Sequence, residues 1–360
     1  MTRHVAFVLA GIGAGGAERV IALLSAMVVE RGWQATIISF DRPGNAAYHD
    51  FHPDVRFIFL ADRANNRKLP KPLRMAIRLF ALRKALAGGR FQLIVSFLTK
   101  INALTLLASI GLPVPVIVSE RNNPLRQRAN PIWRWLLALL YRRAAAIVMQ
   151  TERSRKCLPP AQRARAHVIA NPIALPAAIP EPVEQRITAV GRLTEQKGFD
   201  LLIDAFARIA SSYPEWTLVI WGDGPLRAML QRRSIDHGLA HRIVLPGVSR
   251  DHGAWINPGQ IFVLCSRYEG FPNVLAEAMA AGMAPVAFDC EFGPSEIINQ
   301  GVSGLLVPAE DIDSLADRLH ALMGSPVLRA SLASAASNSA FRFELDHVGG
   351  QWLTLMDSTR

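Results

Sequence analysis

Short apolar runs rich in β-branched residues alternate with longer segments of helical periodicity along nearly the whole chain. Strands that are apolar on both faces are typical of parallel sheets covered by helices on both sides. The first half contains seven such runs: Val5–Ala10, Gln34–Phe40, Val55–Leu60, Leu93–Phe97, Val114–Ser119, Ile147–Gln150 and His167–Ala170. The second half contains six more: Ile187–Gly191, Leu218–Trp221, Ile243–Leu245, Ile261–Cys265, Pro285–Phe288 and Leu305–Val307. The predicted fold is α/β, with two doubly wound Rossmann-like domains.

The chain divides at a proline-rich segment. With 360 residues it is too long for one compact core and suits two domains. Residues 171–182 contain four prolines and almost no periodicity, which indicates a linker. We predict domains over 1–172 and 185–341, a linker over 173–184, and a ligand in the cleft that the domains face. The helical segment 342–360 is a candidate to pack back on the first domain.

Composition and charge narrow the function classes. The three cysteines lie far apart without a CxxC pair, which excludes a disulfide framework and a cysteine zinc site. Residues 1–180 contain 26 Lys and Arg against 8 Asp and Glu, a net +18, whereas residues 181–360 contain 14 against 21, a net −7. Glycine and prolines interrupt the longest charge-free run, Ile101–Ser119, so we expect a helix and a strand there rather than a membrane span.

A glycine-rich loop follows the first predicted strand. Its sequence, Gly11-Ile12-Gly13-Ala14-Gly15-Gly16, matches GxGxxG and precedes a helix, and Asp41 ends the second strand. This combination is most of a dinucleotide fingerprint, in which the acidic residue binds a ribose hydroxyl. The loop also suits another anionic or sugar ligand that approaches the backbone, or a tight turn alone. The motif by itself leaves these three interpretations open.

The loop after the first strand of the second domain carries two cations. Arg192 and Lys197 lie within Gly191–Gly198, at the carboxyl end of the strand. A diphosphate that bridges them gains charge neutralisation and charge-assisted hydrogen bonds. The alternative is a pair of solvated surface cations.

Two glutamates, Glu269 and Glu277, flank a Gly–Phe–Pro–Asn turn. The turn predicts a helix capped by Asn273, and the free amides of Asn273, Val274 and Leu275 then form an anion site. Glu269 is expected at the mouth of this site, and Glu277 about one turn deeper.

These motifs resemble those of retaining glycosyltransferases of family 4, which have the GT-B architecture of two facing Rossmann-like domains. The resemblance covers nearly the whole chain and rests on Gly15-Gly16-Ala17-Glu18-Arg19, Asn171-Pro172, Gly191-Arg192 with Lys197-Gly198, Gly222-Asp223-Gly224-Pro225, the Glu269-to-Glu277 motif, and Gly301-Val302-Ser303-Gly304-Leu305-Leu306-Val307.

The resemblance implies a nucleotide-sugar donor bound mainly by the second domain. In this family pattern Arg192 and Lys197 bind the diphosphate, Glu277 binds the ribose, and Glu269 acts on the transferred sugar. The other donor contacts that it implies are Gly15, Gly16, Gly247, Val248, Phe271, Asn273 and Val274. No metal is expected, and the one DxD sequence, Asp311-Ile312-Asp313, opens a surface-like helix.

The chain departs from the family pattern in its first domain. Many relatives have a histidine that meets the sugar where this chain has Ser119-Glu120-Arg121-Asn122. Glu120 or Arg121 is the candidate to replace it, and the sequence does not choose between them. This variant resembles the subgroup that acts on polyprenyl-diphosphate-linked sugars, which implies a lipid-linked saccharide acceptor and favours a UDP donor over GDP.

A basic region in the first domain indicates a membrane partner. Residues 63–119 contain no acidic residue. A helix there carries basic residues on one face and apolar residues on the next, which is typical of a membrane-surface element. The residues expected to face an anionic membrane are Arg67, Lys71, Arg74, Arg78, Trp133 and Trp135. The alternative is a solvated helix face with core tryptophans, and nucleic acid is not expected because no RNA- or DNA-binding module is visible.

Together these observations favour a peripheral glycosyltransferase on the cytoplasmic face of the plasma membrane. Three other functions remain as alternatives: a GT-B-fold nucleotide-sugar epimerase, an NAD-dependent Rossmann oxidoreductase, and a non-enzymatic polyanion-binding protein.

Overall fold

A computed structural model describes residues 3–13, 15–45, 47–60, 70–121, 131–173, 185–249, 253–257 and 260–359, with the backbone alone at 71 and 131–134. The chain forms two compact units. The first contains Met1–Pro172 and Leu345–Arg360, and the second contains Ile173–Glu344.

The first unit is built on a seven-stranded parallel sheet, in the order β3-β2-β1-β4-β5-β6-β7. Its strands are β1 His4–Leu9, β2 Gln34–Ser39, β3 Arg56–Phe59, β4 Leu93–Phe97, β5 Val116–Ser119, β6 Ala146–Met149 and β7 Ala166–Val168. Helices cover the sheet, and two apolar clusters form its core. These helices are α1 Gly16–Glu30, α2 Lys71–Gly88, α3 Thr99–Ala108, α4 Pro131–Leu140, α5 Glu152–Lys156 and α6 Pro160–Arg163.

The second unit has a six-stranded parallel sheet, in the order β10-β9-β8-β11-β12-β13. Its strands are β8 Arg186–Val190, β9 Thr217–Trp221, β10 Ile243–Gly247, β11 Ile261–Leu264, β12 Ala284–Asp289 and β13 Leu305–Pro308. Its helices are α7 Phe199–Ile209, α8 Arg227–Asp236, α9 Asn273–Ala280, α10 Pro294–Ile297, α11 Ile312–Gly324 and α12 Pro326–Ala340. The α/β prediction, with one doubly wound sheet in each half, is confirmed.

The last helix, α13 Leu345–Ser358, belongs to the first unit. Trp352 is fully buried there and stacks on Phe97 at the end of β4, with the ring centroids 5.8 Å apart. Arg3 reaches the carbonyl oxygen of Thr359 at 2.8 Å, and its guanidinium lies over the ring of Trp33. These contacts tie the end of the chain to its beginning. The linker predicted at 173–184 lies, apart from Ile173, outside the described residues.

No helix in the described part of the chain combines the length and the apolar character that a membrane span needs. The run Ile101–Ser119 forms most of α3 and the strand β5, as the glycine and the prolines between them predict.

Candidate functional site

Four loops meet at one edge of the second sheet. The strands β10, β9, β8 and β11 are neighbours and run parallel, so their carboxyl ends share that edge. The loops that follow them contain Val248, Gly222–Gly224, Arg192–Lys197 and Ser266–Glu269. Ligands of doubly wound sheets bind outside the carboxyl ends of the strands. The predicted donor-binding side chains of the loops after β8 and β11 therefore lie where that rule places a ligand.

Hydrogen bonds join the loops after β8 and β11. The amide of Arg267 donates to the carbonyl oxygen of Gln196 at 2.8 Å, and Nε2 of Gln196 donates to the carbonyl oxygen of Tyr268 at 3.0 Å. Gly198 lies between the loop after β8 and α7, and its φ is +65°. A Cβ there would lie 2.0 Å from the carbonyl oxygen of Cys265. The close approach of the two loops therefore requires glycine at this position.

Lys197 and Glu269 form the central ion pair of the site. Nζ of Lys197 lies 2.6 Å from Oε1 of Glu269, and Oγ of Ser266 donates to the same oxygen at 2.7 Å. The side chains of Lys197 and Glu269 are 17% and 7% exposed, respectively. Arg192 is exposed and forms no salt bridge with a described residue. The site thus holds one fixed cation, one exposed cation and one carboxylate.

The start of α9 differs from the prediction. Pro272 occupies the N-cap position and no described side chain caps the helix, so the predicted cap by Asn273 is wrong. The fixed backbone of proline takes the cap position and places Asn273 in the first turn. The amides of Asn273 and Leu275 donate within the turn, to the carbonyl oxygens of Phe271 at 3.1 Å and Pro272 at 3.0 Å. Of the three amides predicted to be free, that of Val274 is the one without a backbone partner among the described residues.

Two other predicted contacts lie on the same segment. Phe271 is buried and packs edge to face on Phe343, with the ring centroids 5.6 Å apart. Glu277 is buried on α9, whereas Glu269 lies before this helix, in the loop after β11. Glu269 and Glu277 are 6% and 5% exposed, so burial does not distinguish them, and the expected greater depth of Glu277 stays a prediction.

Gly247 and Val248 lie at the end of the edge strand β10. Gly247 has φ of +95° and its carbonyl oxygen accepts the amide of Gly222 at 2.9 Å, which fixes it beside the loop after β9. Val248 is 67% exposed. An exposed apolar side chain at this edge is available to pack against a flat base.

In the first unit the glycine-rich loop is held by Asp41. Oδ2 of Asp41 accepts the amide of Ile12 at 2.6 Å, and a Cβ on Gly11 would lie 2.9 Å from the same oxygen. In a dinucleotide fingerprint this carboxylate would bind ribose. Here the carboxylate of Asp41 instead accepts a hydrogen bond from the glycine-rich loop. Gly15 is the N-cap of α1, and Gly16 is the first residue of that helix.

Glu120 and Arg121 are both buried, in different surroundings. The carboxylate of Glu120 accepts hydrogen bonds from Oγ1 of Thr99 at 2.6 Å, from Nδ2 of Asn102 at 3.2 Å and from the hydroxyl of Tyr141. Burial raises the pKa of Glu120, and these three hydrogen bonds oppose that shift. Burial also lowers the pKa of Arg121 to about 9.

The predicted membrane-facing residues are described in part. Arg67 and the side chains of Lys71 and Trp133 lie outside the described residues. Arg74 and Arg78 are half-buried, and the guanidinium of Arg78 lies 5.6 Å from the ring centroid of Phe40, so neither is on a fully solvated face. These helices also expose large apolar side chains: Phe80 and Trp135 above all, with Leu73, Met75 and Leu139.

The sequence analysis did not identify Arg267, an arginine beside the site in the loop after β11. Arg267 forms ion pairs with Asp200 at 2.7 Å and with Glu310 at 2.9 Å, and these pairs raise its pKa. Its position between Ser266 and Tyr268 is the one signal that could have drawn attention to it.

The carboxylate of Asp311, from the DxD sequence, accepts the amide of Ser314 at 3.0 Å as the N-cap of α11.

Comparisons with known proteins identify the family. The model described as "Glycosyltransferase Family 4" matches residues 14–175, and the model described as "Glycosyl transferases group 1" matches residues 184–325. An exopolysaccharide phosphotransferase of Streptomyces coelicolor is 37% identical over 215 residues, which are 58% of this chain. The match covers 22% of that protein's own length.

Two further proteins are similar over almost the whole chain. One, from Campylobacter jejuni, is named GalNAc-α-(1→4)-GalNAc-α-(1→3)-diNAcBac-PP-undecaprenol α-1,4-N-acetyl-D-galactosaminyltransferase, and it is 26% identical over 98% of both chains. The other is the solved structure of HepE from Anabaena in complex with UDP and glucose. It superimposes with a TM-score of 0.80 at 19% identity, over 99% of this chain and 100% of that one. The two family matches, one in each unit, show that the chain is a glycosyltransferase of family 4 with the GT-B fold.

Proposed function

We propose that this enzyme transfers a hexose or N-acetylhexosamine from a nucleotide-diphosphate sugar to a lipid-linked saccharide, with retention of the anomeric configuration. UDP is the favoured nucleotide and GDP is the second candidate. The reaction would belong to the assembly of a cell-surface polysaccharide or oligosaccharide, on the cytoplasmic face of the plasma membrane.

The ion pair of Lys197 with Glu269 is the observation that carries the donor assignment. It places a cation suited to a phosphate beside a carboxylate suited to sugar hydroxyls, 2.6 Å apart. From β10 to β11 the carboxyl edge spans three strand spacings, or ~14 Å. That length accommodates a base at Val248, a diphosphate at the loop after β8, and a sugar at Glu269. Arg192, exposed on the same loop, supplies the second phosphate contact.

Similar proteins support the nature of the substrates. The name of the Campylobacter relative specifies a saccharide on undecaprenyl diphosphate, and the structure of HepE holds UDP and glucose. We transfer both features to this chain as a proposal: a polyprenyl-diphosphate-linked acceptor and a uridine nucleotide.

The charges of the site suit a reaction in which no metal carries the leaving group. As the bond between sugar and phosphate breaks, negative charge grows on the diphosphate, where Lys197 and Arg192 stabilise it. Glu269 is already bonded to Lys197 and Ser266, so it is better suited to orient the sugar than to attack it. We therefore propose attack by the acceptor from the same face, with the leaving phosphate oxygen accepting the acceptor's proton.

Exposed apolar side chains support docking on a membrane. Phe80 on α2 and Trp135 on α4 are 72% and 67% exposed, and both helices pack against α3 on one side of the first sheet. The helix α2 also carries Arg74 and Arg78, and a surface that combines basic and apolar side chains is typical of peripheral attachment to anionic lipid.

A transfer assay tests the proposal directly. The enzyme is incubated with a panel of UDP- and GDP-sugars and a polyprenyl-diphosphate saccharide, with and without EDTA. We expect acceptor-dependent release of the nucleotide, unaffected by EDTA, and an anomeric coupling constant in the product that matches that of the donor. Conversion of a donor to its epimer without acceptor would indicate an epimerase instead. An inverted product would contradict retention.

A further inference from the structure

A buried cation in the first unit has no counter-ion among the residues that the structure describes. Arg121, the second residue after β5, is 8% exposed. Its guanidinium lies 4.9 Å from the ring centroid of Phe97 and 5.6 Å from that of Trp352, and Nη1 donates to Oδ1 of Asn171. The end of β4, the loop after β7 and α13 thus all contribute to its surroundings.

One edge of this guanidinium has no partner within the described ranges. Among the described residues, neither Nε nor Nη2 of Arg121 has a hydrogen-bond acceptor, and Nε1 of Trp352 also lacks one. The adjacent carboxylate, Glu120, is instead bonded to Thr99, Asn102 and Tyr141. Burying a charge without such partners is costly, so an anion that supplied them would bind favourably.

Arg242, a half-buried arginine in the second unit, shows what a purely structural role looks like in this chain. Arg242 lies 5.3 Å from the ring centroid of Phe206, much as Arg121 lies over its rings. Its Nε donates to the carbonyl oxygen of Trp216 at 2.9 Å, and Nη1 donates to that of Ala210 at 2.8 Å. Its Nη2 donates to the carbonyl oxygens of Tyr213 and Trp216. All three nitrogens of Arg242 are therefore satisfied, whereas two of the three in Arg121 have no acceptor in the described part of the chain.

The unpaired edge has a specific ligand chemistry. Nε–H and Nη2–H of arginine are parallel donors, and their spacing matches two oxygens of a phosphate group. Arg121 also follows the carboxyl end of a parallel strand, where ligands of such sheets bind. We propose that Arg121 binds a phosphate group of a substrate through this edge. The source is either the donor diphosphate or the diphosphate of the lipid-linked acceptor, so the proposal rests on the proposed function.

Inorganic pyrophosphate tests this site apart from the second unit. The background protein carries Arg192→Ala and Lys197→Ala, which remove the phosphate contacts proposed there. We expect this protein to bind pyrophosphate. Adding Arg121→Lys keeps the positive charge but removes the two parallel N–H donors, so it should weaken pyrophosphate binding at least tenfold. Arg242→Lys is the matched control and should leave the affinity unchanged. Absence of pyrophosphate binding in the background protein, or equal affinity with Arg121→Lys, would overturn the proposal.

A second measurement needs no substitution at Arg121. The unpaired edge is shielded from water, so a ligand enters by displacing neighbouring side chains. Hydrogen exchange of the background protein with pyrophosphate should show protection in peptides that contain Arg121 and Trp352. Protection confined to the second unit, or none at all, would count against the site.

Steady-state kinetics then separate the two sources. A raised KM for the acceptor with an unchanged KM for the donor, in Arg121→Lys, assigns the phosphate to the lipid-linked acceptor. The reverse pattern assigns it to the donor, and unchanged values for both overturn the proposal. If the wild-type enzyme transfers no sugar from any donor, the proposed function fails, while the pyrophosphate experiment still decides the role of Arg121.

Discussion

At the scale of single residues, the site combines groups that depend on one another. Lys197 and Glu269 are both largely removed from water, so truncating either leaves the other with an unpaired charge. Arg192 is exposed and independent of this pair. The motif spacing predicted which residues lie at the carboxyl edge. It could not predict that Glu269 binds Lys197, because a contact over 72 positions leaves no periodic signal.

The two glutamates of the site should respond differently to the same substitution. Glu269→Gln should mainly lower kcat, because its proposed contact is with the sugar, whose charge changes during the reaction. Glu277→Gln should mainly raise KM for the donor, because a ribose contact acts on ground and transition states alike. Donor hydrolysis measured over a range of donor concentrations separates the two effects. If both variants change KM alone, the proposed division of roles is wrong.

At the scale of elements, most of the fold could be predicted because buried parallel strands are continuous apolar runs. The thirteen predicted strands all exist, and their ends agree within about two residues. The start of α9 was mispredicted because Asn273 follows a proline that takes the cap position itself. The burial of Arg121 against Trp352 could not be predicted, since it depends on α13 joining the first unit from the far end of the chain.

The close approach of the loops after β8 and β11 gives a prediction at Gly198. Gly198→Ala places a Cβ 2.0 Å from the carbonyl oxygen of Cys265, so the loop that carries Lys197 must shift. Gly238→Ala is the matched control, because Gly238 has a similar φ of +69° with no atom within 4 Å of the added Cβ. Both variants should lose about 1–2 kcal/mol of stability from the left-handed backbone.

Gly198→Ala should lose more stability than this backbone cost alone, and it should also bind the donor nucleotide more weakly. Gly238→Ala should show neither effect. Thermal unfolding and calorimetric titration with UDP measure the two effects. Equal behaviour of the two variants would show that the contact with Cys265 does not position the loop.

At the scale of the whole molecule, charge and exposed apolar surface are unequally distributed. The first half carries the excess of basic residues, and its helices α2 and α4 expose Phe80 and Trp135. The composition predicted a basic surface. It did not predict that apolar side chains would be more exposed than Arg74 and Arg78, because which helix residues face outward depends on packing against the sheet.

Membrane binding should therefore depend on both kinds of side chain. Arg74→Glu with Arg78→Glu should release the protein from vesicles that contain anionic lipid, since each basic residue contributes about 1 kcal/mol there. Raised salt should act in the same direction because it screens exposed charges. Phe80→Ser should weaken binding to anionic vesicles at any salt concentration, whereas Phe341→Ser, at a similarly exposed position in the second unit, should not.

Co-sedimentation with anionic and neutral vesicles measures these effects, and donor hydrolysis should persist in all variants. Equal pelleting of the wild type and the variants with both kinds of vesicle would exclude docking by this surface.

The most direct test of the central claim is calorimetric titration of the wild type, Lys197→Ala and Arg192→Ala with UDP, GDP and NAD. A charge-assisted hydrogen bond contributes roughly 1.5–3 kcal/mol, so each variant should bind the preferred nucleotide about ten- to hundredfold more weakly. Arg232→Ala, which removes an exposed arginine from α8 of the same unit, is the control and should bind like the wild type. The account predicts saturable binding of UDP or GDP that depends on both cations. Binding of NAD alone, or wild-type affinity for the preferred nucleotide in both variants, would contradict it.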